Sequence, residues 1–331
     1  MAERAAPGLV LAMAAVLVPL AGCATRRLPA PVPMSAEEQA RLLRDPTDHR
    51  RHFLKDESGG DRIWYSGSFR LHDGQRDVLP MRVRNPSRPV VAASVRPGAD
   101  DGIVLIDPSS RQSWMTSGQA ANQRAPVLGP RVNRAAPDHV DQDIPGFAVV
   151  AERFHFDRLT VSDAVLLALA ARGPLGELSR GTAGGRNQPD LVMGADFIRA
   201  FSFVAFDFPN RSVFLSASDP YPDSGPQALG EAPLTFPGGR IAARGRVDGE
   251  AADVVLDLAG AFSMVRTGVE PGTPVRQVSL GTFVLRNLAA DPPEAHGLRP
   301  LDEPRLGAAA LQPYRVVLDI RRRVVWFERP E

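Results

Sequence analysis

The second half of this chain repeats the first in shorter form, and that duplication limits the folds open to it. "VMGADFIRAFSFVAFDFPNRSVFLS" matches "RLGAAALQPYRVVLDIRRRVVWFER". Aligned on Asp207 and Asp319, both copies carry Arg at +4 (Arg211, Arg323) and Val at +6 (Val213, Val325). "ERFHFDRLTVSDAVLLALA" likewise matches "VRQVSLGTFVLRNLAADPP". The period is far longer than that of a solenoid repeat. Two copies imply two similar lobes with a site between them, joined near Ser216–Gly230.

Each half reads as short strands punctuated by turns. From Ile63 onward "IWYSGSFRL", "DVLPMRVR", "RPVVAASVRP" and "GIVLID" follow one another, separated by "PSRP" and "PGADDG". "FPNR" (Phe208–Arg211) is a type I turn with Pro at its second position. Thirty-one Pro and 29 Gly beside 6% aromatic residues fit an all-β chain better than a helical bundle. With 331 residues, 44% of them hydrophobic, the chain can bury a core in each of two lobes. The expected lobes span 62–218 and 230–329. A net charge of +1 gives no reason to expect nucleic acid as a partner.

The N-terminus reads as targeting. Arg4 precedes the apolar stretch Gly8–Leu20, which is short for a membrane span and runs into "LAGC". Cys23 is the only cysteine of the chain and stands where a bacterial lipoprotein is lipidated. Residues 1–22 are thus expected to be a lipoprotein signal peptide. Residues 23–61 are expected to form a Pro-rich tether with a short helix at Ser35–Arg44, capped by Ser35 and Glu38. Ala24 after the cysteine, by resemblance to lipoprotein sorting, directs the expectation to the outer membrane, with the chain facing the periplasm and the lipid as its membrane contact.

Each half also carries two chemical landmarks. One is an apolar strand closed by an aspartate: "VLIDPSS" with Asp107 and "VVLDLAGA" with Asp257. A carboxylate at the end of a buried strand costs free energy unless it is paired, hydrogen-bonded or useful. The other is a glycine step: "VMG" with Gly194 and "RLG" with Gly307, where Arg305 fills an otherwise apolar position. A glycine there suits a strand passing close beneath the turn that holds the aspartate.

On these stretches, from about Asp77 to Phe327, the sequence resembles the bacterial retropepsin-like and pepsin-like aspartyl protease family with two lobes in one chain. "LVMGADFIRAFSFVAFDFPNRSVFL" is its most specific match. The resemblance implies two pseudo-symmetric β-barrel lobes and an extended peptide or partner protein in the cleft between them. It implies that Asp107 and Asp257 face each other as a dyad, with Ser109, Ser110, Ala259 and Gly260 as turn residues at the binding surface and Gly194 and Gly307 as structural glycines. It places the Thr116–Gly146 stretch where a flap or cleft wall forms. Two carboxylates so placed share one proton; one activates a water and the other stabilises the oxyanion. No cofactor or metal enters that chemistry. There is also no H-E-x-x-H, G-x-S-x-G, P-loop or G-x-G-x-x-G.

The sequence departs from the family's Asp-Thr/Ser-Gly motif twice. Asp107-Pro108-Ser109 and Asp257-Leu258-Ala259 lack the hydroxyl that, in the family, ties each turn to the other, and lack the glycine after it. Three readings stay open: a scaffold that binds a peptide with weak or no hydrolysis, an active aspartic endopeptidase, and a purely structural envelope lipoprotein whose aspartates are ordinary turn residues.

Overall fold

A computed structural model describes residues 76–81, 89–93, 102–123, 125, 127, 133–135, 144–156, 159–169, 171–172, 191–222, 227–296, 298 and 301–330, with the short pieces Val32–Pro33, Phe53–Leu54, Trp64–Tyr65 and Arg70–Leu71. Cys23, the signal segment and the Ser35–Arg44 helix lie outside the described residues.

The protein is all-β, with two lobes that follow one plan. The first lobe comprises β1 (Arg76–Pro80), β2 (Val90–Ala93), β3 (Gly102–Ile106), β4 (Trp114–Thr116), α1 (Ser117–Asn122), β5 (Asn133–Ala135), β6 (Ile144–Phe156), β7 (Leu159–Leu169), β8 (Leu191–Met193), α2 (Ala195–Ile198), β9 (Phe203–Asp207) and β10 (Ser212–Ser216). The second comprises β11 (Ala228–Thr235), β12 (Ala242–Val247), β13 (Glu250–Asp257), β14 (Met264–Val265), β15 (Thr273–Leu280), β16 (Phe283–Asp291), β17 (Arg305–Gly307), α3 (Ala308–Leu311), β18 (Arg315–Asp319) and β19 (Val324–Glu328).

One six-stranded sheet is shared between the lobes, in the order β1-β10-β9-β18-β19-β11. At its centre β9 pairs with β18 through Phe203↔Asp319, Ala205↔Val317 and Asp207↔Arg315. Adding 319 − 207 = 112 to a β9 residue gives its β18 counterpart, and this pairing maps onto itself under that exchange. The same shift turns the β9–β10 pair Phe203↔Ser216 into the β18–β19 pair Arg315↔Glu328. A pseudo-two-fold axis therefore passes between β9 and β18. The duplicated aspartates each close a turn: Asp207 Oδ1 accepts the Asn210 N–H and Asp319 Oδ1 the Arg322 N–H. The repeated arginines at +4 occupy the left-handed region, at φ 52° for Arg211 and 56° for Arg323. Their carbonyls accept Met81 N–H and Leu234 N–H at matching positions.

Away from that sheet each lobe forms its own barrel-like layer. In the second lobe β13-β17-β14-β16-β15-β12 close into a six-stranded barrel through the β12–β13 pair. The first lobe has the equivalent order β2-β3-β8-β4-β7-β6, with β5 added beyond β6 and β6 running beside β2. Strands at the centre, such as β3 and β8, are apolar along their length and covered on both faces, and β9 is so up to its closing Asp207. Outer strands such as β11 alternate between core and solvent.

The Thr116–Gly146 stretch, expected as a flap or cleft wall, contains α1 and β5 among its described residues, and β6 begins at its end. Thr116 caps α1 by accepting the Gln119 N–H, a Thr-x-x-Gln start signal within the loop-like composition. Further on β5 pairs with the start of β6, Ala135 opposite Ile144. The expected linker is also tied down in part. Buried Tyr221 stacks edge-on against Phe203 and donates its hydroxyl to Glu328.

Candidate functional site

Both lobes bring their aspartate to the same local structure, because β8 and β17 are each inserted between two strands that are consecutive in sequence. β8 pairs parallel with β3 and antiparallel with β4. β17 pairs parallel with β13 and antiparallel with β14. The chain leaving β3 or β13 must turn over the end of the inserted strand, and that turn holds Asp107 or Asp257. In both turns the third residue after the aspartate bonds back to it: Ser110 N–H to Asp107 O, Gly260 N–H to Asp257 O. Each of these residues then accepts from the helix below, Ser110 O from Ala195 N–H at 2.7 Å and Gly260 O from Ala308 N–H at 2.8 Å.

Gly194 and Gly307 sit at the crossing. Their φ values of −86° and −87° are open to any residue, so space is what requires glycine. A Cβ on Gly194 would stand 2.7 Å from the Gln112 carbonyl carbon, and one on Gly307 would overlap the Phe262 carbonyl oxygen. Backbone cannot yield as a flexible side chain can. Gly307→Ala is expected to cost about 1–3 kcal/mol, read as a lowered thermal midpoint of the purified chain.

Asp107 is 3% exposed and Asp257 is 0% exposed. Asp107 Oδ1 accepts two bonds from Ser109, from its N–H at 2.9 Å and from its hydroxyl at 2.7 Å. Burial, and after it the negative charge of Asp257, push the Asp107 carboxyl up to about 7, against the Ser109 bonds and the Arg305 charge. The two lobes thus place their aspartates within electrostatic reach of each other.

Asp257 is held differently. Arg305, only 1% exposed, places Nη1 3.2 Å from Asp257 Oδ2. Asp257 Oδ1 is buried with no hydrogen-bond partner among the described residues. The register makes Val192 the first-lobe counterpart of Arg305, since Leu105↔Val192 matches Val255↔Arg305. Ala259 likewise stands where the first lobe has Ser109. The site is symmetric in backbone and asymmetric in charge. The sequence already shows Arg305 as the odd residue in "RLG", but its partner emerges only when β17 lies beside β13.

The remaining turn residues serve the turns. Ser110 donates its hydroxyl to the Gln112 carbonyl, and Ala259 is buried. Gly260 leaves room for the Phe262 ring and for Asp257 Oδ1. Pro108 and Leu258 supply no hydroxyl, yet the lobes still meet at the first turn: Ile241 N–H donates to the Pro108 carbonyl at 3.0 Å. The bond is one-sided. Pro89 is the first-lobe counterpart of Ile241, as Pro89 O accepts Ile106 N–H where Ile241 O accepts Leu256 N–H. A proline has no N–H to return to the second turn.

Sequence reading did not single out a further polar lock in the first lobe. The Ser113 hydroxyl donates to Asp196 Oδ1 at 2.6 Å and accepts the Gly194 N–H at 2.9 Å. Burial raises the Asp196 carboxyl above its ordinary range. In the second lobe the Phe262 carbonyl accepts the Ala309 N–H where Asp196 has its counterpart.

No family model matches this chain, and no curated protein matches it. Among solved structures it is similar to the crystal structure of Basic 7S globulin from soybean, with 13% sequence identity, a TM-score of 0.44, and coverage of 77% of this chain and 95% of that chain.

Proposed function

We propose that this chain is a cell-envelope lipoprotein with a retropepsin-like scaffold that binds an extended peptide or partner-protein segment between its lobes and hydrolyses it weakly or not at all. The observation that carries this reading is the buried Asp257–Arg305 ion pair. A dyad that activates water needs a carboxylate able to take a proton from it. Arg305 Nη1 stands 3.2 Å from Asp257 Oδ2, so the oxygen that would take that proton is already engaged by a guanidinium. The loss of hydroxyls at Pro108 and Leu258 supports the same reading, because among the described residues the turns have one interlobe backbone bond, at Pro108, in place of a reciprocal pair.

The active endopeptidase is the second reading, favoured by one feature. Asp107, held up to about 7, keeps its proton near neutrality as a general acid must. Incubating the full chain with unfolded casein between pH 3 and 7 separates the two. The expected result by mass spectrometry is intact casein, while members of a synthetic extended-peptide library bind. Cleavage that a statine-type inhibitor blocks and Asp107→Asn abolishes would establish the peptidase instead.

A further inference from the structure

The two aspartates occupy equivalent positions and have opposite surroundings. Asp107 has a hydroxyl and an amide on one oxygen, and Val192 where a cation could stand. Asp257 has the guanidinium of Arg305 on one oxygen and a fully buried second oxygen with no hydrogen-bond partner among the described residues. The charged groups that act on Asp107 are Asp257 and Arg305, both from the second lobe. On its own turn the exposed Arg111 lies with its side chain against Gly239.

We propose that Arg305 is the positioning residue that decides where the proton of this pair resides: it holds Asp257 as the carboxylate and leaves Asp107 as the member that binds and releases the proton. In a symmetric dyad either carboxyl can hold the proton. Here the cation is paired directly with Asp257 and acts on Asp107 only as the smallest of the influences on it, so the second negative charge is the costly one, and it falls on Asp107. Protonated Asp107 carries an O–H donor, and ionised Asp107 carries none. The inference rests on the reading above in taking these turns as the ligand-facing surface. Capture of a peptide carbonyl by Asp107 is then a proton-dependent event, favoured below neutrality.

The test is a carboxyl titration of the full chain labelled with ¹³C at aspartate Cγ, followed by NMR from pH 4 to 9. Asp107→Asn and Asp257→Asn assign the two signals. In the wild type the Asp107 signal is expected to titrate, and the Asp257 signal to hold its carboxylate shift throughout. Arg305→Met is expected to bring the Asp257 signal into titration within that range, and Arg305→Lys to restore the wild-type pattern. Comparable titration of both signals in the wild type, or an Asp257 signal unmoved by Arg305→Met, overturns the proposal. Should Arg305→Met not fold, Arg305→Gln, which removes the charge and keeps a polar amide beside Asp257, takes its place with the same expected and overturning results. Casein cleavage lost in Asp107→Asn would remove the binding reading and leave the titration result standing.

Discussion

Arg305→Met is expected to destabilise the protein by about 3–5 kcal/mol, because it leaves a buried charge without its partner. Arg305 and Asp257 are 1% and 0% exposed, so water can replace little of what the guanidinium provides. The loss is expected to shrink in acid, where protonation removes the uncompensated charge. The pair itself is a poor source of stability. Two ions taken out of water recover their desolvation only with good geometry, and one Asp257 oxygen has no hydrogen-bond partner among the described residues. The double variant Asp257→Leu/Arg305→Met is therefore expected to recover most of the loss. Chemical denaturation of the wild type, both single variants and the double variant closes the cycle. Additive losses would show that the two side chains do not depend on each other.

The contrast between pair and partner explains what was legible in the sequence. The duplication was visible because both copies must satisfy one local geometry. Asp207 and Asp319 close identical turns, and Arg211 and Arg323 take the same left-handed position, so the spacing survives where the rest diverges. The apolar strands ending in Asp107 and Asp257 were visible for the same reason, and so were Gly194 and Gly307, each under a backbone crossing. The insertion of β8 and β17 between consecutive strands leaves no local period to read, since its pairings join residues some 40 to 87 positions apart. That crossing is what turns Arg305 from an anomaly in an apolar run into the counter-ion of Asp257. The α1 helix was hidden by composition, though its Thr116-x-x-Gln119 cap was present in the sequence. The one-sided tie between the lobes could not be read either, because Pro89 and Ile241 become counterparts only once both barrels are laid out.

Asp107→Asn is expected to stabilise the protein above neutral pH and to leave it nearly unchanged in acid. The sign follows from proton linkage. Asp107 titrates at about 7 in the folded chain against 3.8 for an ordinary aspartate, so between those values the native state binds the extra proton. Stability from this group is full below about pH 4 and is lost as the pH rises through 7. Above 7 the native state carries a second buried anion beside Asp257. Asparagine removes that charge and keeps an Oδ1 acceptor for both Ser109 bonds. A gain of ~1 kcal/mol or more at pH 8, raising the melting temperature by roughly 2–4 °C per kcal/mol, is the expected result. Thermal melts of both proteins at pH 4 and pH 8 check it, and a difference that does not change with pH would show that Asp107 carries no excess proton. A gain would also bear on function. An acidic side chain that weakens its own fold at neutral pH, at one end of a duplicated site, contributes nothing as scaffold. Function is the ordinary reason for such a residue. Stabilisation by Asp107→Asn together with weakened peptide binding would mark Asp107 as a ligand-facing group even without hydrolysis.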